Sequence, residues 1–206
     1  WTSPCLRRVF CMAVTQEEVH GPKATSWSAT LDTMAFGGDE LGELRQRLIC
    51  VSAGNLPDGL LHEALEDWDS YEIEDPAHAW NVLSIGGYTE KGPITDQGFE
   101  HWPCAVELGT LSPYSRVSAS WYRGVSPIKP ELVLEAGNKG IDGVDTSMVS
   151  GMDSLSLLTT SRDPVVQPLA LSWATSAATA QLAGMAAEIL ADDPALTCRL
   201  RRGRDP

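Results

Sequence analysis

A serine and an asparagine, far apart along the chain, are the residues of this sequence best suited to acyl-transfer chemistry. Ser176 opens a long amphipathic segment near the end of the chain, and Asn55 follows Gly54 at the end of an apolar run. A serine at a helix N-terminus is a candidate nucleophile, because the unpaired N–H groups there favour negative charge on an attacked carbonyl. The side-chain amide of Asn55 can donate a hydrogen bond to the same developing oxyanion.

Each of these features also has an ordinary structural explanation. Thr175 or Ser176, taken alone, is more often the N-cap of a helix, because serine and threonine are favoured at that position. A Gly-Asn pair such as Gly54-Asn55 is more often only a turn.

A nucleophilic serine also needs a general base. The candidate histidines are His20, His62, His78 and His101. None of them lies in a sequence context that identifies it as a base, and His20, followed by Gly21-Pro22, lies in a polar stretch typical of a loop. No histidine follows Ser176, which argues against an α/β-hydrolase, in which the order is Ser, Asp or Glu, His.

The elements that must position these residues are short apolar strands and amphipathic helices. Strands are predicted over residues 8–14, 48–53, 80–87 and 131–135. A helix is predicted from Ser26 to Phe36, because its apolar residues have helical spacing and Gly37-Gly38 follows it. Continuous apolar strands joined by a crossover helix are typical of parallel sheets. We therefore expect one α/β domain over residues 1–206, with a mostly parallel sheet flanked by helices.

The second half of the chain is predicted to contain a hairpin and the helix that carries Ser176. Runs at 153–160 and 164–171 are separated by a turn sequence, and the last helix covers about Thr175 to Leu190. The predicted buried face of that helix consists of Leu182, Met185, Ala186 and Ile189.

The stretch 56–78 is rich in carboxylates and is predicted to be a solvated acidic loop. Its acidic residues include Asp67, Asp69, Glu72, Glu74 and Asp75. These residues lack the regular spacing of a calcium loop, which would need about six to eight converging oxygen ligands. No metal site is predicted.

Composition excludes several classes of protein. The formal net charge of −13 is unfavourable for binding nucleic acid, apart from a short basic tail at 199–204. No run of 18 apolar residues is present, so no membrane-spanning helix is expected. Five cysteines without CxxC spacing argue against structural zinc, and are slightly more consistent with a reducing compartment such as the cytoplasm. The sequence does not determine the compartment.

The order of segments resembles that of the subtilisin-like serine peptidases, the subtilase family. The similar segments are Ser-Ala-Gly-Asn at 52–55, Asn-Val-Leu-Ser-Ile-Gly-Gly at 81–87, Ser-Pro-Tyr-Ser-Arg-Val-Ser at 112–118, Lys-Pro-Glu-Leu-Val at 129–133 and Thr-Ser at 175–176. In the last of these the family has Gly-Thr-Ser-Met-Ala-x-Pro. This chain has Ala174, Ala177 and Ala180 in place of the glycine, methionine and proline. An alanine is tolerated in place of that glycine unless φ must be positive there.

The resemblance implies a three-layer fold and a role for each matching residue. Ser176 corresponds to the nucleophile and Asn55 to the oxyanion-hole asparagine. The strand that pairs with the peptide substrate corresponds to Met12, Ala13, Val14 and Thr15. The opposite wall of the specificity pocket corresponds to Ser52, Ala53 and Gly54. The implied activity is serine endopeptidase without a cofactor, acting on peptides or proteins.

The family's catalytic aspartate and histidine precede the strand with which this sequence begins. We therefore expect the chain to be the C-terminal portion of the catalytic domain, incomplete at its N-terminus, and nearly inert by itself. The alternative is a non-catalytic α/β module derived from the same fold that binds peptides or proteins. A third interpretation is an unrelated α/β domain in which the serine is an N-cap.

Overall fold

The computed structural model describes residues 8–16, 21–38, 46–121 and 126–193. His20 and the basic tail at 199–204 lie outside these described residues. In chain order the elements are β1 (Val9–Met12), α1 (Ser26–Phe36), β2 (Leu48–Ser52), a 3₁₀ segment (His62–Ser70), β3 (Leu83–Thr89), β4 (Thr110–Leu111), β5 (Leu132–Glu135), β6 (Gly140–Ile141), β7 (Met148–Val149), a second 3₁₀ segment (Asp153–Leu155), β8 (Leu157–Thr160), β9 (Leu169–Ser172) and α2 (Ala174–Asp192).

The main sheet is mostly parallel, as the sequence predicts. Its parallel strands lie in the order β1-β2-β3-β5, and β4 pairs antiparallel with the end of β3. Because parallel strands carry their C-terminal ends to the same edge of a sheet, the segments that follow β1 and β2 lie side by side. The predicted hairpin is also present, since β8 and β9 pair antiparallel.

Helix α1 begins and ends where its sequence signals predict. Thr25 is the N-cap, and its side chain accepts hydrogen bonds from the N–H groups of Trp27 and Ser28, while the Ser28 side chain bonds back to the Thr25 backbone. At the other end Gly37 adopts a left-handed conformation with φ of 97°. The predicted bounds, Ser26 to Phe36, are confirmed.

The two helices pack against opposite faces of β2. Ile49 and Val51 join a buried cluster with Leu31 of α1, whereas Cys50 joins a cluster with Ala178 of α2. Alternate residues of a strand point to opposite faces, so one strand contributes to both clusters. The architecture is therefore mixed α/β, with a parallel-dominated sheet contacted by helices.

The predicted buried face of α2 is wrong for two of its four residues, whereas Leu182 packs against the buried cluster that contains Ala178. Met185 and Ile189 are 49% and 56% exposed. The buried residues of the helix are Ala174, Thr175, Ala177, Ala178 and Thr179. They are small and lie in its first two turns, where α2 passes close to the sheet. The helical spacing of large apolar residues predicted which face of α2 is apolar, but it could not predict which turns of the helix the sheet covers.

Other differences from the sequence predictions concern single segments. Strand β3 begins at Leu83 rather than at residue 80, and the acidic stretch contains the first 3₁₀ segment. Within that stretch Glu74 and Asp75 are only 8% and 2% exposed, so the expectation of a fully solvated loop is wrong there. Cys11 lies inside the apolar run predicted as a strand at 8–14, yet it is exposed. In the described residues no helix is long and apolar enough to cross a membrane.

Candidate active site

Ser176 lies in the first turn of α2. The N-cap of this helix is Trp173, and no side chain caps it. The interpretation of Thr175 or Ser176 as an N-cap is therefore wrong. The side chain of Ser176 is half-buried, and its hydroxyl makes no hydrogen bond within the described part of the chain. It is left available for chemistry.

Asn55 is hydrogen-bonded to the residue next to Ser176. The backbone N–H of Thr175 donates to Asn55 Oδ1 over 3.0 Å, and Thr175 Oγ1 donates to the same oxygen over 2.7 Å. A backbone N–H can only donate, so the atom that faces it must be the amide oxygen. The amide nitrogen of Asn55 has no hydrogen-bond acceptor among the described residues, so its two N–H groups are left to donate.

The hydroxyl of Ser52 also belongs to this hydrogen-bond network. Ser52 Oγ lies 2.7 Å from Thr175 Oγ1, and Thr175 Oγ1 is also within 3.1 Å of the carbonyl oxygen of Gly54. Thr175 has one hydroxyl proton, so when that proton goes to Asn55 the Ser52 hydroxyl donates to Thr175. All three side chains are thus joined in one buried network that holds the Asn55 amide in place.

The first N–H groups of α2 are used unequally. The N–H of Ala174 donates to the carbonyl of Ala136 over 2.7 Å, and that of Thr175 to Asn55. The N–H of Ser176 has no acceptor among the described residues. Together with the amide of Asn55 it provides two unpaired donors near the positive end of the helix dipole. Such donors can stabilise an oxyanion.

Ala174 has a left-handed backbone conformation, with φ of 70°. The family has glycine at this position in its motif, and the structure requires the positive φ that makes glycine favourable. In an alanine the Cβ atom clashes with the following carbonyl, at a cost of roughly 1–2 kcal/mol. The turn before Ser176 is therefore strained by the substitution.

We expect Ala174→Gly to raise the free energy of unfolding by about 0.5–1 kcal/mol, because the relieved strain exceeds the added flexibility of the unfolded chain. Thermal unfolding followed by circular dichroism should show a rise in Tm of about 2 °C. The matched control is Ala180→Gly, an exposed position within α2, which should lower stability by about 1 kcal/mol. A destabilising Ala174→Gly would contradict the strain argument.

The contacts of the described histidines are with residues other than Ser176. His62 Nε2 is 2.9 Å from the carbonyl oxygen of Ala105, and this histidine lines a cavity of about 520 Å³ together with Cys104. His78 is buried, 3.3 Å from Asp75. His101 is exposed. Among the described residues, no histidine is hydrogen-bonded to Ser176.

The two predicted pocket walls follow neighbouring strands, at the C-terminal edge of the sheet. Met12 ends β1, Ala13 and Val14 are exposed, and Thr15 is partly buried. The wall at 52–54 is buried, and Gly54 has φ of 94°. The structure therefore brings the two sets of residues together at one edge.

Sequence reasoning missed two residues that organise this region. Thr175 was treated as part of a motif, but its hydroxyl orients Asn55. Arg116 is 6% exposed, and its Nε donates to the carbonyl of Asn55 over 2.7 Å. An arginine within the serine-rich segment 112–118 was the available signal. Its partners Asn55, Glu72 and Glu74 are 61, 44 and 42 positions away in the sequence, so only folding brings them to it.

Two further ionisable groups lie near the chain that follows Asn55. Leu56 donates its N–H to the carbonyl of Tyr114, and burial raises the pKa of Tyr114 to about 12. The ammonium of Lys139 lies 4.7 Å from the centre of the Tyr114 ring. Burial lowers the pKa of Lys139, and the charge of Asp58 opposes that shift. Tyr114 is therefore uncharged at neutral pH.

The described residues contain no group of three or more acidic, histidine or cysteine side chains that could hold a metal ion.

Comparison with known proteins agrees with this geometry at the level of the family. No curated protein matches the chain. The model of the subtilase family, peptidase S8, matches residues 1–201, which is nearly the whole chain and includes Ser176 and Asn55. The match, the parallel sheet and the serine in the first turn of α2 lead to one conclusion: the chain belongs to the subtilase family.

Proposed function

We propose that this chain carries the nucleophile and the oxyanion hole of a serine endopeptidase. Membership of the subtilase family supports peptidase-like function. The observation that carries the proposal is the hydrogen bond from the Thr175 N–H to Asn55 Oδ1, which leaves the amide nitrogen of Asn55 beside the first turn that holds Ser176. An unbonded hydroxyl and two unpaired donors are two of the three parts that acyl transfer requires, and the third is a general base.

In the proposed mechanism Ser176 Oγ attacks the carbonyl carbon of a peptide bond and its proton passes to a histidine. The carbonyl oxygen becomes an oxyanion, which accepts hydrogen bonds from Asn55 Nδ2 and from the N–H of Ser176. The C–N bond then breaks, and the amine leaves with the proton from the histidine. Water hydrolyses the acyl ester on Ser176 by the same steps, and the hydroxyl is regenerated.

The base in this proposal is a histidine outside the described residues. His62, His78 and His101 have other surroundings, and none is hydrogen-bonded to Ser176. In this proposal that histidine, and an aspartate that orients it, complete the catalytic domain. We also propose that the domain has the three-layer arrangement of the family, with the sheet between two layers of helices. The mechanism needs no cofactor, because the serine is activated by a proton acceptor alone.

The substrate class follows from the same site. An extended peptide is proposed to add along the backbone at 12–15, with a side chain directed between that segment and the wall at 52–54. The strongly acidic surface is unsuited to nucleic acid, so peptides or proteins are the proposed partners. We propose no membrane partner.

A fluorophosphonate probe tests this function in the full-length protein. Ser176 Oγ should attack phosphorus, release fluoride and become covalently labelled, and mass spectrometry of the tryptic peptide should locate the label at Ser176. Ser176→Ala should abolish labelling, whereas Ser172→Ala, in the preceding strand, should leave it unchanged. Absence of labelling at Ser176 would overturn the proposal.

A non-catalytic binding module is the second candidate function. It is favoured by one observation, that no described histidine is hydrogen-bonded to Ser176, and it is consistent with the strained Ala174. This module would bind extended peptides at the same edge of the sheet. It predicts peptide binding without labelling of Ser176, so the probe experiment separates the two functions.

A further inference from the structure

Glu74 lies between the two segments that form the walls of the proposed specificity pocket. Its backbone N–H donates to the carbonyl of Ala53 over 3.1 Å, which ties it to the wall at 52–54. The next residue, Asp75, pairs antiparallel with Gln16, directly after the wall at 12–15. The segment 74–75 therefore bridges the two walls and closes the space between them.

The side chain of Glu74 contacts both walls. The hydroxyl of Thr15 donates to Glu74 Oε2. On the other side, a Cβ atom placed on Gly54, which has φ of 94°, would lie 2.5 Å from the carboxyl carbon of Glu74, so the carboxyl group lies directly against Gly54. Because the carboxylate contacts one residue from each wall, it lies at the end of the pocket.

This carboxylate is buried but only partly hydrogen-bonded. Glu74 is 8% exposed, and Arg116 Nε lies 2.9 Å from its Oε1. Thr15 and Arg116 are its two side-chain donors among the described residues. A carboxylate has about four acceptor positions, so about two remain. An apolar side chain inserted against them would remove water and supply no donor, which is unfavourable.

Local charge favours a cation at this position. Arg116 carries one positive charge, whereas Glu74, with which it is paired, is followed directly by a second buried carboxylate, Asp75. The whole chain has a net charge of −13, which attracts basic peptides. A lysine or arginine side chain can supply the missing donors and balance the excess negative charge.

We propose that Glu74 is a specificity-determining residue, which selects substrates with a basic side chain at the position that precedes the scissile bond. The proposal rests on the proposed function, because it takes the walls at 12–15 and 52–54 as the substrate pocket. Arg116 then has two roles. It shares the Glu74 carboxylate with the incoming cation, and it holds Asn55 by donating to the Asn55 carbonyl oxygen.

Peptide binding tests this inference without requiring turnover. The protein is the full-length chain with Ser176→Ala, and the probes are two fluorescent tetrapeptides that end in lysine or in norleucine, its uncharged analogue of similar shape. We expect fluorescence anisotropy to show that the lysine peptide binds about tenfold more tightly or better. Equal binding, tighter binding of the norleucine peptide, or no binding of either would overturn the inference.

Variants assign the preference to Glu74. Glu74→Gln should reduce the lysine preference to about twofold or less. Because this change removes the carboxylate charge that faces the buried Arg116, the double variant Glu74→Gln with Arg116→Met is measured beside it, and it should show the same loss. The matched control Asp69→Asn removes one exposed carboxylate and should keep the preference. A preference that survives both Glu74 variants would overturn the role of Glu74.

The two proposals fail in different ways. If Ser176 is not labelled by the fluorophosphonate but the lysine preference depends on Glu74, the peptidase function fails and the pocket assignment stands. If Ser176 is labelled and the preference is absent, the peptidase function stands and the inference about Glu74 is wrong.

Discussion

Ser176→Ala should reduce peptide turnover by the full-length protein by about 10⁶-fold, the loss measured for the serine of subtilisin, itself a member of this family. The change removes the only atom of Ser176 that can form the acyl ester. It should leave the fold intact, because alanine is the best helix former and the Ser176 hydroxyl has no hydrogen bond within the described chain. We expect the unfolding free energy to change by less than about 0.5 kcal/mol.

Steady-state hydrolysis of a fluorogenic peptide, measured beside thermal unfolding, checks this result. Ser172→Ala is the matched control, since it removes a hydroxyl four residues earlier and should keep full activity. A Ser176→Ala protein that retains turnover within about tenfold of the parent would exclude Ser176 as the nucleophile.

Asn55→Asp should reduce kcat by at least about 10²–10³-fold, the range that follows loss of the equivalent oxyanion donor in subtilisin. The substitution is informative because it keeps the acceptor that Thr175 needs. A carboxylate oxygen can accept from the Thr175 N–H and hydroxyl as the amide oxygen does. The atom that changes is Nδ2 of Asn55. It is replaced by a negatively charged carboxylate oxygen, which accepts hydrogen bonds where the oxyanion requires a donor.

The distinguishing measurement is the separation of kcat from KM. An interaction made only in the transition state lowers kcat and leaves KM within about threefold. Asn81→Asp, at an exposed turn, is the same chemical change elsewhere and should have no effect on either constant. If Asn55→Asp instead raises KM and keeps kcat, Asn55 contributes to substrate binding and not to the oxyanion hole.

Local sequence signals predicted the elements that depend on local contacts. The bounds of α1 follow from the Thr25 cap and the glycine at 37, whose hydrogen bonds span only a few residues. Strand β2 and the hairpin of β8 and β9 also follow from short apolar runs and turn residues. The ordered segments predicted the family, and the family match confirmed it.

The sequence did not predict features that depend on contacts between distant segments. The predicted buried face of α2 was wrong at Met185 and Ile189, which are exposed in the described structure, because the sheet covers the small residues of the first turns. Glu74 was assigned to a solvated loop because its immediate neighbours are acidic, yet it is held by Thr15 and Arg116, 59 and 42 positions away.

By itself the sequence determined a mostly parallel α/β protein of the subtilase family, with a serine in the first turn of its last helix. The tertiary structure decided how that turn is built. It set Ala174 at positive φ, turned the oxygen of Asn55 toward Thr175, and put Glu74 between the segments 12–15 and 52–54. The reason is physical: helices and strands are specified by contacts within a few residues, whereas the orientation of an amide or the burial of a carboxylate depends on partners that only folding brings within hydrogen-bonding distance.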